Sequence, residues 1–88
     1  MEQMDLIVDL QGEEIIVETQ QREVCREAAK LFKTYRRELG MTQEELGRRV
    51  GIPQSNVTRF ESGNYNPTLE FLVKMAAAMG KKVKVSLE

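Results

Sequence analysis

The residues of this chain best equipped for chemistry lie between Gln54 and Glu61, in the stretch QSNVTRFE. If the stretch is helical, the spacing of three places Val57 and Phe60 on one face and leaves Gln54, Ser55, Asn56, Thr58 and Arg59 around the other. Amide side chains can pair bidentately with adenine and a guanidinium with guanine, each pair giving roughly 1–3 kcal/mol of discrimination. The outer face is therefore suited to reading base edges in a DNA major groove. Arg48, Arg49 and Asn64, together with helix N-termini, add groups that can contact phosphates, an attraction that weakens steeply with salt. Catalysis is not expected, because no nucleophile stands beside a base and no phosphate-binding loop is present. With no histidine and the single cysteine Cys25, no metal site and no cofactor are expected either.

A side chain reads a base only if its helix is held rigidly, and the flanking sequence is rich in signals for that. Thr42 and Glu45 form a T-x-x-E capping box that predicts a helix start. Leu46 and Val50 then face inward, Gly47 permits close approach of the next helix, and Gly51 closes the element. Gly51-Ile52-Pro53 reads as a tight turn with Ile52 directed into the core, and Pro53 suits the first turn of the following helix because it lacks an N–H. Thr42 to Glu61 thus reads as two short helices joined by a turn, presenting the second.

The remaining elements form the support. A first helix is predicted from about Thr19, as N-cap, to Leu39, with Val24, Ala28, Leu31, Phe32 and Tyr35 buried and Gly40 ending it. Cys25 sits one step off that stripe and reads as a half-buried packing residue. After a loop from Ser62 to Pro67, Thr68 caps a last helix whose predicted inner face is Leu69, Leu72, Val73, Ala76 and Met79, with Gly80 after it. The scattered methionines read as core filler. Alternation in residues 6–10 and 15–17 predicts a β-hairpin turning at Gln11-Gly12. That register sets Asp9 against Glu14 and Asp5 against Glu18, which destabilises the pair. Val83, Val85 and Leu87 alternate with Lys82 and Lys84, so the C-terminal segment reads as a third, basic strand completing a small sheet.

Charge follows the same division. The net charge is −1, but residues 1–20 hold six acids and no base, while the other 68 residues hold all 13 bases and eight acids. An acidic arm of −6 is attached to a basic body of +5. A single domain of 88 residues buries only about 60–65% of its unfolded surface, so homodimerisation is expected as an added source of stability. The cysteine content fits a reducing, cytoplasmic compartment. No apolar run approaches the ~20 residues that span a bilayer, and the first residues lack the basic start of a signal peptide, so no membrane role is expected.

Read from Arg36 to Gly80 as R-x-x-x-G-M-T-Q-E-E-L-G-x-x-V-G-I-x-x-S-x-V-x-R-x-E-S-G-x-x-N-P-T-L-x-x-L-x-x-x-A-x-A-x-G, the chain resembles the Cro/repressor-type (XRE) helix-turn-helix family. The resemblance implies a mainly α fold, a lambda-repressor-like bundle of about five helices that is usually dimeric. To this the terminal segments would add the small β-sheet, dividing the chain into an acidic hairpin arm (1–18), the helix-turn-helix domain (19–80) and a C-terminal strand (81–88). The resemblance implies that Gln54, Ser55, Asn56, Thr58 and Arg59 read bases. It further implies that Gln43 contacts a phosphate and supports the recognition helix, and that Arg36 and Glu61 form a structural salt bridge. Gly47 stands where the family usually has alanine, and Pro53 stands where a serine or threonine often caps. The implied function is a sequence-specific regulator, a repressor binding double-stranded DNA at a palindromic operator as a dimer. The ending AAAMGKKVKVSLE also resembles antitoxins of the HigA and HipB type, which implies an alternative: an antitoxin that binds a small basic toxin and represses its own operon.

Overall fold

The computed structural model describes residues 7–10 and 13–87, with side chains described from Val17 onward. Strand β1 (Ile7–Leu10) pairs antiparallel with β2 (Glu13–Ile16), with Val8 opposite Ile15 and Asp9 opposite Glu14. The expected turn at Gln11-Gly12 lies outside the described residues. Helix α1 (Val17–Glu38) follows β2 without a break, so Thr19 lies inside the helix and does not cap it. Three shorter helices complete the body: α2 (Gln43–Val50), α3 (Gln54–Glu61) and α4 (Leu69–Ala78). The described residues therefore hold four helices, against the five or so that the family resemblance implies. No helix among the described residues is long and apolar enough to cross a membrane.

The expected sheet joining the two chain ends is not formed. Among the described residues the sheet has two strands, and residues 81–87 form no strand. The length of α1 explains this. Lys81 lies beside the far end of that helix, with its Nζ 4.9 Å from the centre of the Tyr35 ring and its N–H bonded to the Ala76 carbonyl. At 1.5 Å per residue, the 18 steps from Val17 to Tyr35 carry the ribbon about 27 Å away from that point.

Phe60 of α3 is the centre of the core. Its ring meets Phe32 of α1 edge-on at 5.4 Å and Phe71 of α4 at 5.3 Å, and Phe71 in turn meets Tyr65 at 5.6 Å. Such pairs add about 0.5–1.5 kcal/mol each beyond the area they bury. Leu46, Val57, Met75, Met41 and Met79 fill the surrounding space, so methionine does serve as core filler at these positions.

Two predicted stripes are displaced. On α1 the buried residues are Ala29 and Arg36, with Cys25, Ala28, Phe32 and Tyr35 half-buried, whereas Val24 and Leu31 are 51% and 55% exposed. On α4 the inner face runs through Phe71, Leu72, Met75, Ala76 and Met79, and leaves Leu69 and Val73 outside. Counting apolar residues set the faces about one position off. In α1 the reason is visible: an arginine, which such a count assigns to solvent, is drawn inward by a buried partner.

Candidate nucleic-acid interface

Helix α2 begins where its capping box requires. The Thr42 hydroxyl accepts the Glu45 N–H at 3.0 Å, and the Glu45 carboxylate accepts the Thr42 N–H at 3.4 Å. Acidic residues occupy the first turn and Arg48 and Arg49 the last, matching the helix dipole at both ends. The N–H groups of Gly51 and Ile52 both return to the Gly47 carbonyl, at 2.8 and 2.9 Å, and so fold the turn tightly onto α2. Gly47 is what permits this closeness. A Cβ built on it would lie 2.8 Å from the Ile52 carbonyl oxygen and 3.5 Å from Val57 Cγ2. The departure from alanine is thus set by backbone packing between α2 and the turn. Pro53 is the N-cap of α3, one position earlier than its expected place, and provides no side-chain cap.

Below α3 lies a buried polar network. Arg36 donates from Nε to Glu61 Oε2 at 2.6 Å and from Nη2 to Oε1 at 3.0 Å, and its Nη1 donates to the Met41 carbonyl at 2.7 Å. The two charged side chains are 9% and 3% exposed. Gln43 joins this pair to the outer face: its Nε2 donates to Glu61 Oε1 at 2.9 Å, and its Oε1 accepts the Thr58 hydroxyl at 2.7 Å. These partners fix the orientation of the Gln43 amide, since the carboxylate can only accept. Among the described residues no buried side-chain nitrogen or oxygen lacks a partner. A buried ion pair satisfied in this way is a precise support, because removing either member strands the other charge.

The expected base-reading residues are not equivalent in this setting. Gln54, Ser55 and Arg59 are exposed, Asn56 is half-buried, and Arg59 makes no ion pair among the described residues. Thr58 is exposed as a residue, but its hydroxyl is committed to Gln43 and lies 3.2 Å from the Gln54 carbonyl. The expected phosphate residues also divide. Arg48 pairs with Glu44 at 3.2 Å on the surface, while Arg49 has no ion pair among the described residues. Asn64 is exposed and its N–H reaches the Ser62 hydroxyl at 3.3 Å.

Two contributors escaped the sequence reading. The Met41 carbonyl accepts from Arg36, and Ser62 closes α3 by donating its hydroxyl to the Arg59 carbonyl at 2.6 Å. A backbone carbonyl has no sequence signal. Ser62 did have one, because a hydroxyl residue just after a helix can bond back to its last turn.

A family model described as helix-turn-helix matches residues 32–85, more than half of the chain. The chain belongs to this family of DNA-binding transcriptional regulators, which is not a class of enzymes. It is 40% identical over 52 residues to an HTH-type transcriptional regulator of Methanothermobacter thermautotrophicus, covering 59% of this chain and 75% of that one. It is 43% identical over 49 residues to an HTH-type regulator of Sinorhizobium fredii, covering 56% and 64%. Among solved structures it is similar to a chain of a toxin-antitoxin module from Streptococcus pneumoniae. There the TM-score is 0.57 at 28% identity, over 82% of this chain and 76% of that one.

Proposed function

We propose that this protein is a sequence-specific repressor that binds a palindromic operator as a homodimer, with α3 in the major groove of double-stranded DNA. The observation that carries the reading is the network beneath α3. Glu61, Arg36 and Gln43 hold the helix from below and leave Gln54, Ser55 and Arg59 unencumbered above it. In this reading Gln54, Ser55, Asn56 and Arg59 read base edges through hydrogen bonds. Thr58, its hydroxyl already donated inward, offers its methyl group to a thymine methyl. Gln43, Arg49 and Asn64 contact phosphates, with Arg48 joining them once it leaves Glu44. The dimer would place two copies of α3 about 34 Å apart, one turn of B-DNA. Such a regulator acts where the DNA is, in the cytoplasm of a bacterial-type cell.

Operator binding measured against salt concentration tests this. Replacing Gln54 and Arg59 together by alanine is expected to abolish discrimination between operator and unrelated duplex while leaving circular dichroism unchanged. A double variant that still discriminates would overturn the assignment.

The likeness to a toxin-antitoxin module over 82% of the chain favours a second reading, an antitoxin that also represses its own operon. The acidic arm, carrying −6, would suit a small basic toxin. Co-expression with the neighbouring gene product separates the readings: a stable complex with a basic partner supports the antitoxin, and no complex leaves the repressor alone.

A further inference from the structure

A threonine on a recognition helix is by itself an ambiguous reader. Its hydroxyl rotates to donate or to accept, and so suits either kind of base edge. In a helix its side chain also divides between two rotamers, one of which bonds the hydroxyl to the preceding turn. Thr58 has lost both freedoms. Its one hydroxyl proton faces two acceptors, Gln43 Oε1 at 2.7 Å and the Gln54 carbonyl at 3.2 Å, so it is spent inward on one or the other.

The bond to Gln54 reaches one turn back and is open to any helical threonine. The shorter bond to Gln43 crosses from α3 to α2, and its direction is set from below. Arg36 donates to both oxygens of Glu61, and the carboxylate can only accept. Gln43 must therefore turn its nitrogen to Glu61, at 2.9 Å, and its oxygen to Thr58. An amide turned the other way would donate to Thr58, and only the longer bond to Gln54 would then compete with DNA for the hydroxyl proton. A buried ion pair thus dictates the polarity of a side chain on the outer face of α3.

Building on the DNA-binding reading above, we propose that Gln43 is a specificity-determining positioning residue: by holding the Thr58 proton it makes Thr58 a reader by methyl alone, one that selects thymine and rejects guanine. Thymine offers its methyl group in the major groove, whereas the guanine edge offers two acceptors and needs a donor that Thr58 no longer has. Gln43 touches no base in doing so. Its own contact to a phosphate is separate, because a phosphate contact changes affinity for all sequences alike.

The test is a double-mutant cycle on base preference, using duplexes that wild type selects from a random pool and variants of them with thymine or guanine at each position. Thr58→Ser keeps the hydroxyl and removes the methyl, so the position where it loses the thymine preference is the one Thr58 reads. Gln43→Met leaves only the bond to Gln54 to hold the rotamer. It is expected to lower the thymine-to-guanine affinity ratio at that position by about tenfold, the scale of one mismatched base pair, and to leave ratios elsewhere unchanged. Thr58→Val, which keeps a methyl in either rotamer, should retain the preference, and adding it to Gln43→Met should restore what that variant lost. If Gln43→Met weakens all duplexes equally, or the double variant stays unselective, the proposal fails and the repressor reading stands. Loss of the preference in Thr58→Val overturns it as well, without reliance on how Gln43→Met folds. If wild type selects no sequence, both readings fail.

Discussion

The stretch from Met41 to Glu61 and the two ends of the chain solve the problem of stability in opposite ways. In the first, the side chains Leu46, Val57 and Phe60 are almost wholly buried, and the capping, turn and ion-pair partners all lie within this chain. Toward the ends, apolar side chains stand in solvent: Val24 and Leu31 on α1, Leu69 and Val73 on α4, and Val85 and Leu87 beyond it. A recognition element must be rigid before it meets DNA, so its partners are internal. The exposed apolar groups toward the ends are the surface on which the proposed dimer would form.

The sharpest way to break this contrast is at Glu61. Glu61→Ala leaves Arg36 buried without its carboxylate, and a loss of about 3–5 kcal/mol is expected, lowering Tm by more than about 12 °C. A thermal melt within a few degrees of wild type would mean that the network beneath α3 does not support it. Gly47→Ala tests the close approach of α2 and the turn through the sign of its effect. Helix propensity alone would stabilise by about 1 kcal/mol. The 2.8 Å approach to the Ile52 carbonyl predicts a net destabilisation instead, by about 1–3 kcal/mol, read as a lower urea midpoint.

At the ends the expected effects on the folded monomer are small. Leu69→Lys with Val73→Lys should shift sedimentation toward monomer while changing the unfolding free energy at low protein concentration by less than about 0.5 kcal/mol. If sedimentation is unchanged, the proposed dimer does not use α4. Lys82→Glu with Lys84→Glu should leave Tm essentially unchanged, since no strand forms there to pair with the acidic arm. A marked loss would restore a role for those charges.

Much of the recognition element was legible because its signals act over a few residues. Thr42 and Glu45 are three apart, and the turn at Gly51 to Pro53 follows from local backbone chemistry. The Arg36 to Glu61 pair spans 25 positions and was implied only by family resemblance, never by spacing. That Gln43 supports α3 was likewise implied only by the resemblance, and its partner Thr58 was not legible, because the two exposed-looking polar residues meet only once α2 and α3 are packed. The helix faces failed for a related reason: the rotation of α1 depends on where Arg36 finds its acceptor.

By itself the sequence determined where α2 and α3 start and stop, which residues face away from Val57 and Phe60, and how charge divides between the arm and the body. All of these depend on neighbours within one or two turns. Only the tertiary structure decided that Thr58 spends its hydroxyl inward, that Val24, Leu31, Leu69 and Val73 face solvent, and that Lys81, where the C-terminal segment begins, packs at the end of α1 far from the ribbon. Those outcomes depend on distances across the molecule, and the length of one helix set the last of them.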